Sequence, residues 1–322
     1  MNYELNNTPL RHVRVDFPSY VSRRKAIESK RMGGNGLPNY AYDSDYDHRK
    51  KLDAIPGLYK LAKLVTSTVA SRYAQIFNIQ AMLVGPDQFP DVYQMGCDCA
   101  RILGIGVPSI YIVNDQTLNA FTIATDDVDP VIVIHSGLYE RMTPGELRTI
   151  IGHECGHIQN NHSIYDMLVN QLMTAGVNGV ASMVPSGLLV ALTVGAQVAL
   201  YAWSRAAEVT SDRAGMICAD RLEDAFSAQA KFMYGGAFGD HKVSFESLRK
   251  QLDMQQSNIV RYEEIFNTHP SGARRVAALM EFAKCDTLYD WRPELKEPGM
   301  ELHSKAITDQ ACHRFVDVSK KR

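Results

Sequence analysis

Apolar residues recur at helical spacing along most of the chain and at strand spacing in only a few short stretches. From Ile55 to Tyr73 they fall at steps of three and four residues, which predicts a helix. The same pattern predicts further helices around 90–103, 201–219, 244–265 and 272–282. Short runs that contain β-branched or aromatic residues predict strands at 109–113, 119–122 and 130–134. The pattern therefore predicts a mainly helical α+β fold with a small β-sheet.

The stretch from Met167 to Ser204 contains no charged residue. Val184-Pro185-Ser186-Gly187 interrupts it and leaves two arms of about 17 residues, which is at or below the length that spans a bilayer. Two packed helices are therefore favoured, forming a hairpin inside the fold or an interface between two copies of the chain. Association of residues 167–204 with a membrane is the alternative.

Both ends of the chain lack the apolar periodicity of the middle. Residues 1–51 carry a Gly- and Pro-rich cluster and an acidic, tyrosine-containing stretch, which are typical of an extension that wraps another surface or stays mobile. Pro293 and the Glu297-Pro298-Gly299 turn mark the other end. We predict an N-terminal extension over 1–51, a globular domain over 52–285 with the hairpin at about 167–204, and an irregular C-terminal tail over 286–322.

Composition narrows the class of protein. The chain has 322 residues, a formal net charge of −2 and 45% hydrophobic residues, which is ordinary for a globular protein and indicates no nucleic-acid partner. The polar N-terminus predicts no secretory signal, and the six cysteines show no disulfide spacing. A reducing, cytoplasmic location is expected, with membrane association as the alternative. Cys97 and Cys99 could form half of a second metal site, but without a matching pair they favour reduced core cysteines.

The segment His153-Glu154-Cys155-Gly156-His157 carries the clearest chemistry. Thr143, Pro144 and Glu146 supply an N-cap, a first-turn proline and a capping box, so the segment is predicted to lie inside a helix. There the two histidines stack one turn apart on one face and can bind one zinc ion, with Glu154 beside them. The alternative is a surface helix with two incidental histidines.

A catalytic zinc ion keeps one coordination position for water, so one more protein ligand is needed. Glu208 is the best candidate, because Asp212 shares its helical face and ligating histidines often donate their second N–H to a carboxylate. An exposed acidic pair is the alternative.

An ordered set of motifs resembles a known enzyme family. The set consists of Asn119-Ala120-Phe121, Ser136-Gly137-Leu138, His153-Glu154-x-x-His157, Ser204-Arg205-x-x-Glu208-x-x-x-Asp212, and Thr268-His269-Pro270 followed by Arg275. Across about 95–285 the chain resembles the zinc metallopeptidases that include the CAAX prenyl endopeptidases and the HtpX heat-shock peptidases. Many members of that family carry transmembrane helices around the site, whereas the spans in this chain are weak.

The resemblance implies a fold, a cofactor and roles for particular residues. It implies a zincin-type core with the sheet packed on the helix of the two histidines. One zinc ion per chain would be held by His153, His157 and Glu208, with Glu154 as the catalytic base. Asp212 would partner a ligand histidine, His269 would stabilise the oxyanion, and Arg275 would brace the site. Asn119, Ala120 and Phe121 would lie on an edge strand that binds extended peptide.

Some of these roles have structural alternatives. His269 could cap a helix, and residues 119–121 could be purely structural. The expected function is zinc-dependent endopeptidase activity on proteins or peptides. A zinc-stabilised, chaperone-like binding module without turnover is one alternative. Another is a latent peptidase whose terminal segments cover the cleft.

Overall fold

The computed structural model describes residues 31–32, 37–125, 128–235, 244, 247, 250 and 272–316. The helices of these residues are α1 (Asp43–Asp53), α2 (Leu58–Gln80), α3 (Pro90–Leu103), α4 (Ser136–Arg141), α5 (Pro144–Gln159), α6 (Ser163–Ala181), α7 (Val194–Cys218), α8 (Leu222–Tyr234), α9 (Gly272–Phe282), α10 (Asp286–Trp291) and α11 (Lys305–Val316). The strands are β1 (Ala81–Leu83), β2 (Ser109–Val113), β3 (Ala120–Thr125) and β4 (Val128–His135). The predicted mainly helical α+β fold is confirmed.

The four strands form one mixed sheet in the order β1-β2-β4-β3. β2 runs parallel to β4, whereas β1 and β3 run antiparallel to their neighbours. β4 lies inside the sheet, and Ile132, Val133 and Ile134 are fully buried, as expected of a β-branched run covered on both faces. β3 lies at one edge of the sheet.

The sheet separates two hydrophobic clusters. Ile132 and Ile134 point to a cluster that contains residues of α3 and α5, and Val133 points to a second cluster that contains residues of α2 and α6. This alternation follows from the two-residue period of a strand. The sheet therefore packs on α5, which carries the two histidines, as the resemblance implies.

The uncharged hairpin is present, but its second arm differs from the prediction. The chain leaves α6 after Ala181, forms a short 3₁₀ helix at Ser186–Ala191, and then enters α7 at Val194, where Thr193 is the N-cap. A separate helix starting near 201 was predicted, whereas α7 is continuous from Val194 to Cys218. The apolar arm and the segment of Glu208 are therefore one rigid element.

The described parts of the terminal segments contain more helix than predicted. Residues 43–53 form α1, which packs against α7, and Tyr40 is fully buried. Within 286–316 the chain forms α10 and α11 rather than an irregular tail. The domain boundaries themselves stay a prediction. The helix predicted at 244–265 lies almost wholly outside the described residues.

A buried arginine ties both terminal segments to α7. Arg213 donates to the carbonyl oxygen of Tyr40 at 3.0 Å and to Oδ1 of Asp309 on α11 at 2.6 Å. Its guanidinium also lies over the rings of Tyr42 and Phe282. Arg213 is 1% exposed, so its charge depends on these partners rather than on water.

Candidate metal centre

The geometry of the site begins with the close packing of α5 on α7. A Cβ atom on Gly156 would lie 2.6 Å from Cβ of Ala214, and one on Gly152 would lie 2.4 Å from Cβ of Cys218. Both distances are shorter than van der Waals contact, so only glycine allows this approach. The predicted capping box of Thr143 and Glu146 is confirmed and fixes the start of α5.

His153, His157 and Glu208 bring three donor atoms together between α5 and α7. The two Nε2 atoms lie 3.1 Å apart. Glu208 places one carboxylate oxygen 3.7 Å from Nε2 of His153 and the other 3.5 Å from Nε2 of His157. Two ligands of a tetrahedral zinc ion at about 2.0–2.1 Å are separated by about 3.3–3.4 Å. The three observed distances between donor atoms, 3.1, 3.5 and 3.7 Å, lie on either side of that value.

The outward ring nitrogens explain why the inner ones can bind a metal. His153 Nδ1 lies 3.0 Å from Oδ1 of Asp212, and His157 Nδ1 lies 3.1 Å from Oδ2 of Asp166. In a neutral ring the nitrogen beside a carboxylate holds the proton, so both Nε2 atoms can then present lone pairs to a metal ion. Three electron-rich atoms at this spacing repel one another unless a cation lies between them. The residues therefore fit a metal ion.

The charges around the donor atoms also favour a cation. Burial lowers the pKa of His157, but the carboxylates of Asp166 and Glu208 raise that pKa by more, and it lies well above its usual value. Burial raises the pKa of Asp212, yet Arg275 and His153 bring it below the usual value. Asp212 therefore stays charged beside His153.

Arg275 on α9 braces the two carboxylates of α7. It lies 2.9 Å from Oε2 of Glu208 through Nη1, and it donates to Asp212 through Nε at 2.8 Å and Nη2 at 2.5 Å. Gln229 of α8 adds a hydrogen bond of 2.6 Å to Asp212. Two neighbouring helices, α8 and α9, thus fix the orientation of these carboxylates.

A cleft of about 590 Å³ opens over these donor atoms. Glu154 lines it and is 5% exposed, and its carboxylate accepts a hydrogen bond of 2.7 Å from Oγ1 of Thr122 on β3. Asn119, Ala120 and Phe121 line the same cleft. The structure therefore brings together the sequence-predicted residues 119–121, 153, 154, 157, 208, 212 and 275. His269 lies outside the described residues, and its role stays a prediction.

Comparison with known protein families identifies the class of protein. The model of peptidase family M48 matches residues 86–283, well over half of the chain. The chain belongs to peptidase family M48. This match covers β2 to β4, α5 and α7, and therefore the whole donor cluster. The M48 assignment confirms the resemblance to the family that includes the HtpX peptidases.

Several similar proteins are named as peptidases or proteases. A plastoglobule-localized metallopeptidase 48 from Arabidopsis thaliana, named as chloroplastic, is 31% identical over 61% of this chain and 56% of its own length. A protease HtpX homolog from Pediococcus pentosaceus is 31% identical over 31% of this chain and 32% of its own length. Protease HtpX homolog 2 from Methanosarcina acetivorans is 25% identical over 63% of this chain and 76% of its own length. The chain thus spans about half of the first relative and a third of the second.

The prediction of a cytoplasmic location is wrong. The similar proteins are named as HtpX protease homologues and as a plastoglobule-localized metallopeptidase. The HtpX peptidases belong to the family in which many members carry transmembrane helices around the site. Reduced cysteines and a polar N-terminus are compatible with many locations, so these two features do not identify the cytoplasm. Among the described residues, no helix combines the length and the hydrophobicity that crossing a membrane requires.

Several site residues were not predicted from the sequence. Asp166 contacts the ligand His157, and Gln229 contacts Asp212, yet neither belongs to a spaced motif. Thr122 lies on the strand predicted at 119–122, but its hydrogen bond to Glu154 was not predicted. His162 and Asp45 lie behind His157, and Asp45 falls in the segment interpreted as a wrapping or mobile extension. A third histidine, His162, follows His157 by five residues, and this short spacing was a sequence signal that could have indicated a contact between them. Cys97 and Cys99 belong to neither donor cluster found in the described part of the chain.

Proposed function

We propose that the chain is a zinc-dependent endopeptidase in which His153, His157 and Glu208 hold the metal and Glu154 is the catalytic base. The observation that carries the proposal is the convergence of three donor atoms at ligand spacing in a cleft that also contains Glu154 and an edge strand. Two imidazoles and a carboxylate favour zinc over magnesium, which prefers oxygen ligands.

Glu154 is the residue that we propose to move the proton in peptide hydrolysis. When bound, zinc would acidify a water molecule and polarise the scissile carbonyl group. The Glu154 carboxylate then takes the proton of that water and passes it to the leaving amine nitrogen. The hydrogen bond from Thr122 orients this carboxylate, and it leaves the other carboxylate oxygen available for proton transfer.

The substrate strand is proposed to pair with β3. The N–H of His135 donates to the carbonyl oxygen of Asn119, so position 119 faces β4. Because hydrogen-bonding positions alternate along an antiparallel strand, Ala120 and Thr122 direct their main-chain groups toward the open edge. An extended peptide can therefore add to β3 by main-chain hydrogen bonds and pass over the metal ligands.

Replacing Ala120 with proline tests this strand. Proline removes the outward N–H but is tolerated at the edge of a sheet. Loss of one or two hydrogen bonds is expected to lower kcat/KM for a peptide substrate by about tenfold, with zinc affinity unchanged. Ala120→Ser keeps the N–H and is the matched control. Equal kcat/KM values in the proline and serine variants would exclude pairing at Ala120.

A zinc-stabilised binding module without turnover is disfavoured by the donor set. A purely structural zinc site takes four protein ligands, whereas the cluster around Nε2 of both histidines has three among the described residues and faces the cleft.

A latent peptidase would need its terminal segments to cover the cleft. None of the residues lining the cleft comes from 37–72 or 286–316, so the described parts of the termini do not cover it.

Metal removal and return tests the enzyme proposal. Chelator-treated protein is expected to lose hydrolysis of an unfolded protein substrate, and one equivalent of zinc is expected to restore it. Magnesium is the matched control and is expected to restore nothing, because the donor set contains two imidazoles. Cleavage at the original rate by zinc-free protein would overturn the proposal.

A further inference from the structure

The turn between α5 and α6 folds His162 back against His157. Asn161 adopts a left-handed conformation with φ 55°, which asparagine tolerates better than most residues. The N–H of His162 then donates to the carbonyl oxygen of His157 at 3.0 Å. Arg49 of α1 donates to the carbonyl oxygens of Asn160 and Asn161 at 2.9 and 2.8 Å and holds the turn in place.

A buried chain of hydrogen-bonding groups leads from this turn to α1. His157 Nδ1 and His162 Nδ1 lie 3.1 Å apart, and His162 Nε2 lies 2.9 Å from Oδ2 of Asp45. Trp203 donates its indole N–H to the other oxygen of Asp45 at 3.0 Å. His162 is 1% exposed and Asp45 is 2% exposed, so water does not replace these partners.

When both rings are neutral, as metal binding requires of His157, the donors and acceptors in this chain leave one consistent arrangement of protons. The Asp45 carboxylate only accepts, so His162 carries its proton on Nε2. His162 Nδ1 is then an acceptor, and it faces the Nδ1–H of His157 and, at 3.4 Å, the hydroxyl group of Ser211. With its proton held on Nδ1, His157 presents the Nε2 lone pair to the metal.

We propose that Asp45 and His162 are positioning residues that fix the tautomer and ring orientation of the metal ligand His157. The proposal rests on the proposed metal site and extends it to α1, which lies outside the residues matched by the family model. Asp166 approaches the same nitrogen of His157 from α6, so the ring is held from two sides. α1 is thereby part of the metal centre and not only part of the scaffold.

A structural tie between α1 and the core is the competing explanation, and the chain offers a matched control for it. Asp53 lies eight residues after Asp45 on the same face of α1, and it accepts a hydrogen bond of 2.6 Å from the hydroxyl group of Tyr165 on α6. Asp53→Asn removes a charge from α1 and weakens the ion pair of Asp53 with Arg49 at 3.9 Å, but it changes none of the groups Asp45, His162 and His157 themselves. It therefore controls for any effect that acts through the docking of α1 or through the hold of Arg49 on the turn.

Asp45→Asn is the informative substitution because it changes protons and not shape. The indole N–H of Trp203 forces the amide oxygen of Asn to face it, and the amide N–H group then faces Nε2 of His162. His162 must move its proton to Nδ1, where it opposes the Nδ1–H of His157. Zinc affinity, measured by competition with a chelator, is expected to fall by about 10- to 100-fold, whereas Asp53→Asn should stay within about threefold of the wild type.

Two substitutions at position 162 separate the acceptor from the ring. The amide oxygen of His162→Asn can occupy the place of Nδ1 and accept from His157, whereas His162→Leu offers no acceptor. The asparagine variant is expected to keep zinc affinity, and the leucine variant is expected to lose it as Asp45→Asn does.

Nitrogen NMR of the histidine-labelled, zinc-loaded wild type reads the tautomer directly and does not depend on any variant folding. We expect His162 protonated on Nε2. Protonation on Nδ1, or equal zinc affinity in Asp45→Asn and Asp53→Asn, would overturn the positioning role. If the wild type itself bound no zinc at His157, the proposed function would fail instead, so the two failures are distinguishable.

Discussion

Replacing Glu154 with glutamine is expected to lower kcat for peptide hydrolysis by about 10²–10⁴-fold, the range that a general base contributes. Glutamine has nearly the same shape as glutamate, and its amide oxygen can still accept the hydrogen bond from Thr122. It cannot take a proton from water at neutral pH. Turnover is therefore lost while the cleft and the metal ligands keep their structure.

The control for this substitution is Glu140→Gln, which makes the same chemical change at an exposed residue. Zinc content is measured for both variants, and about one zinc ion per chain is expected in each. Hydrolysis by the Glu154→Gln variant at the rate of the Glu140→Gln variant would show that Glu154 is not the base.

Replacing Asp309 with alanine is expected to destabilise the protein by about 3–5 kcal/mol, because it leaves the buried charge of Arg213 unpaired. That loss is a large fraction of the about 5–15 kcal/mol that folded proteins typically have. α7 carries Glu208 and Asp212 as well as Arg213, so a bound zinc ion would add to the stability of the same helix. The free energy of unfolding is therefore measured first on zinc-free protein by urea titration. Gln310→Ala changes an exposed residue of the same helix and is expected to have little effect.

The stabilisation by Asp309 is also expected to depend on pH. Burial raises the pKa of Asp309, but Arg213 and Lys305 lower it by more, so the folded-state pKa lies below the usual value. The stabilisation is therefore complete above about pH 4, the pKa of an unfolded aspartate, and is lost as the pH falls through the folded-state pKa. The difference in unfolding free energy between wild type and Asp309→Ala should narrow on acidification. A constant difference would contradict the ion pair with Arg213.

Local signals were sufficient to predict the elements that carry the metal ligands. The capping box at Thr143 fixes the start of α5, and four-residue spacing places His153 and His157 on one face. Glu208 and Asp212 follow the same rule on α7. The strand at 130–134 was predicted because a β-branched run favours a sheet covered on both faces.

Contacts between distant segments could not be predicted in the same way. Asp45 meets His162 across 117 residues, and no local pattern marks it as a partner. The apolar run at 167–204 showed that two arms exist but did not show that the second continues through Glu208, since a helix passes from an apolar to a polar segment without any break. α10 and α11 were missed because the prolines and glycine around them favour turns, whereas packing of Leu288 and Cys312 in the core stabilises these helices.

Anomalous diffraction at the zinc absorption edge locates the metal ion and shows whether His153, His157 and Glu208 bind it. A second donor cluster, His157, His162 and Asp166, lies on the other side of the His157 ring and provides the competing position. We expect one anomalous peak at about 2.0–2.2 Å from Nε2 of both His153 and His157 and from a carboxylate oxygen of Glu208. A peak between His157 Nδ1, His162 and Asp166, with none beside Glu208, would exclude this set of ligands.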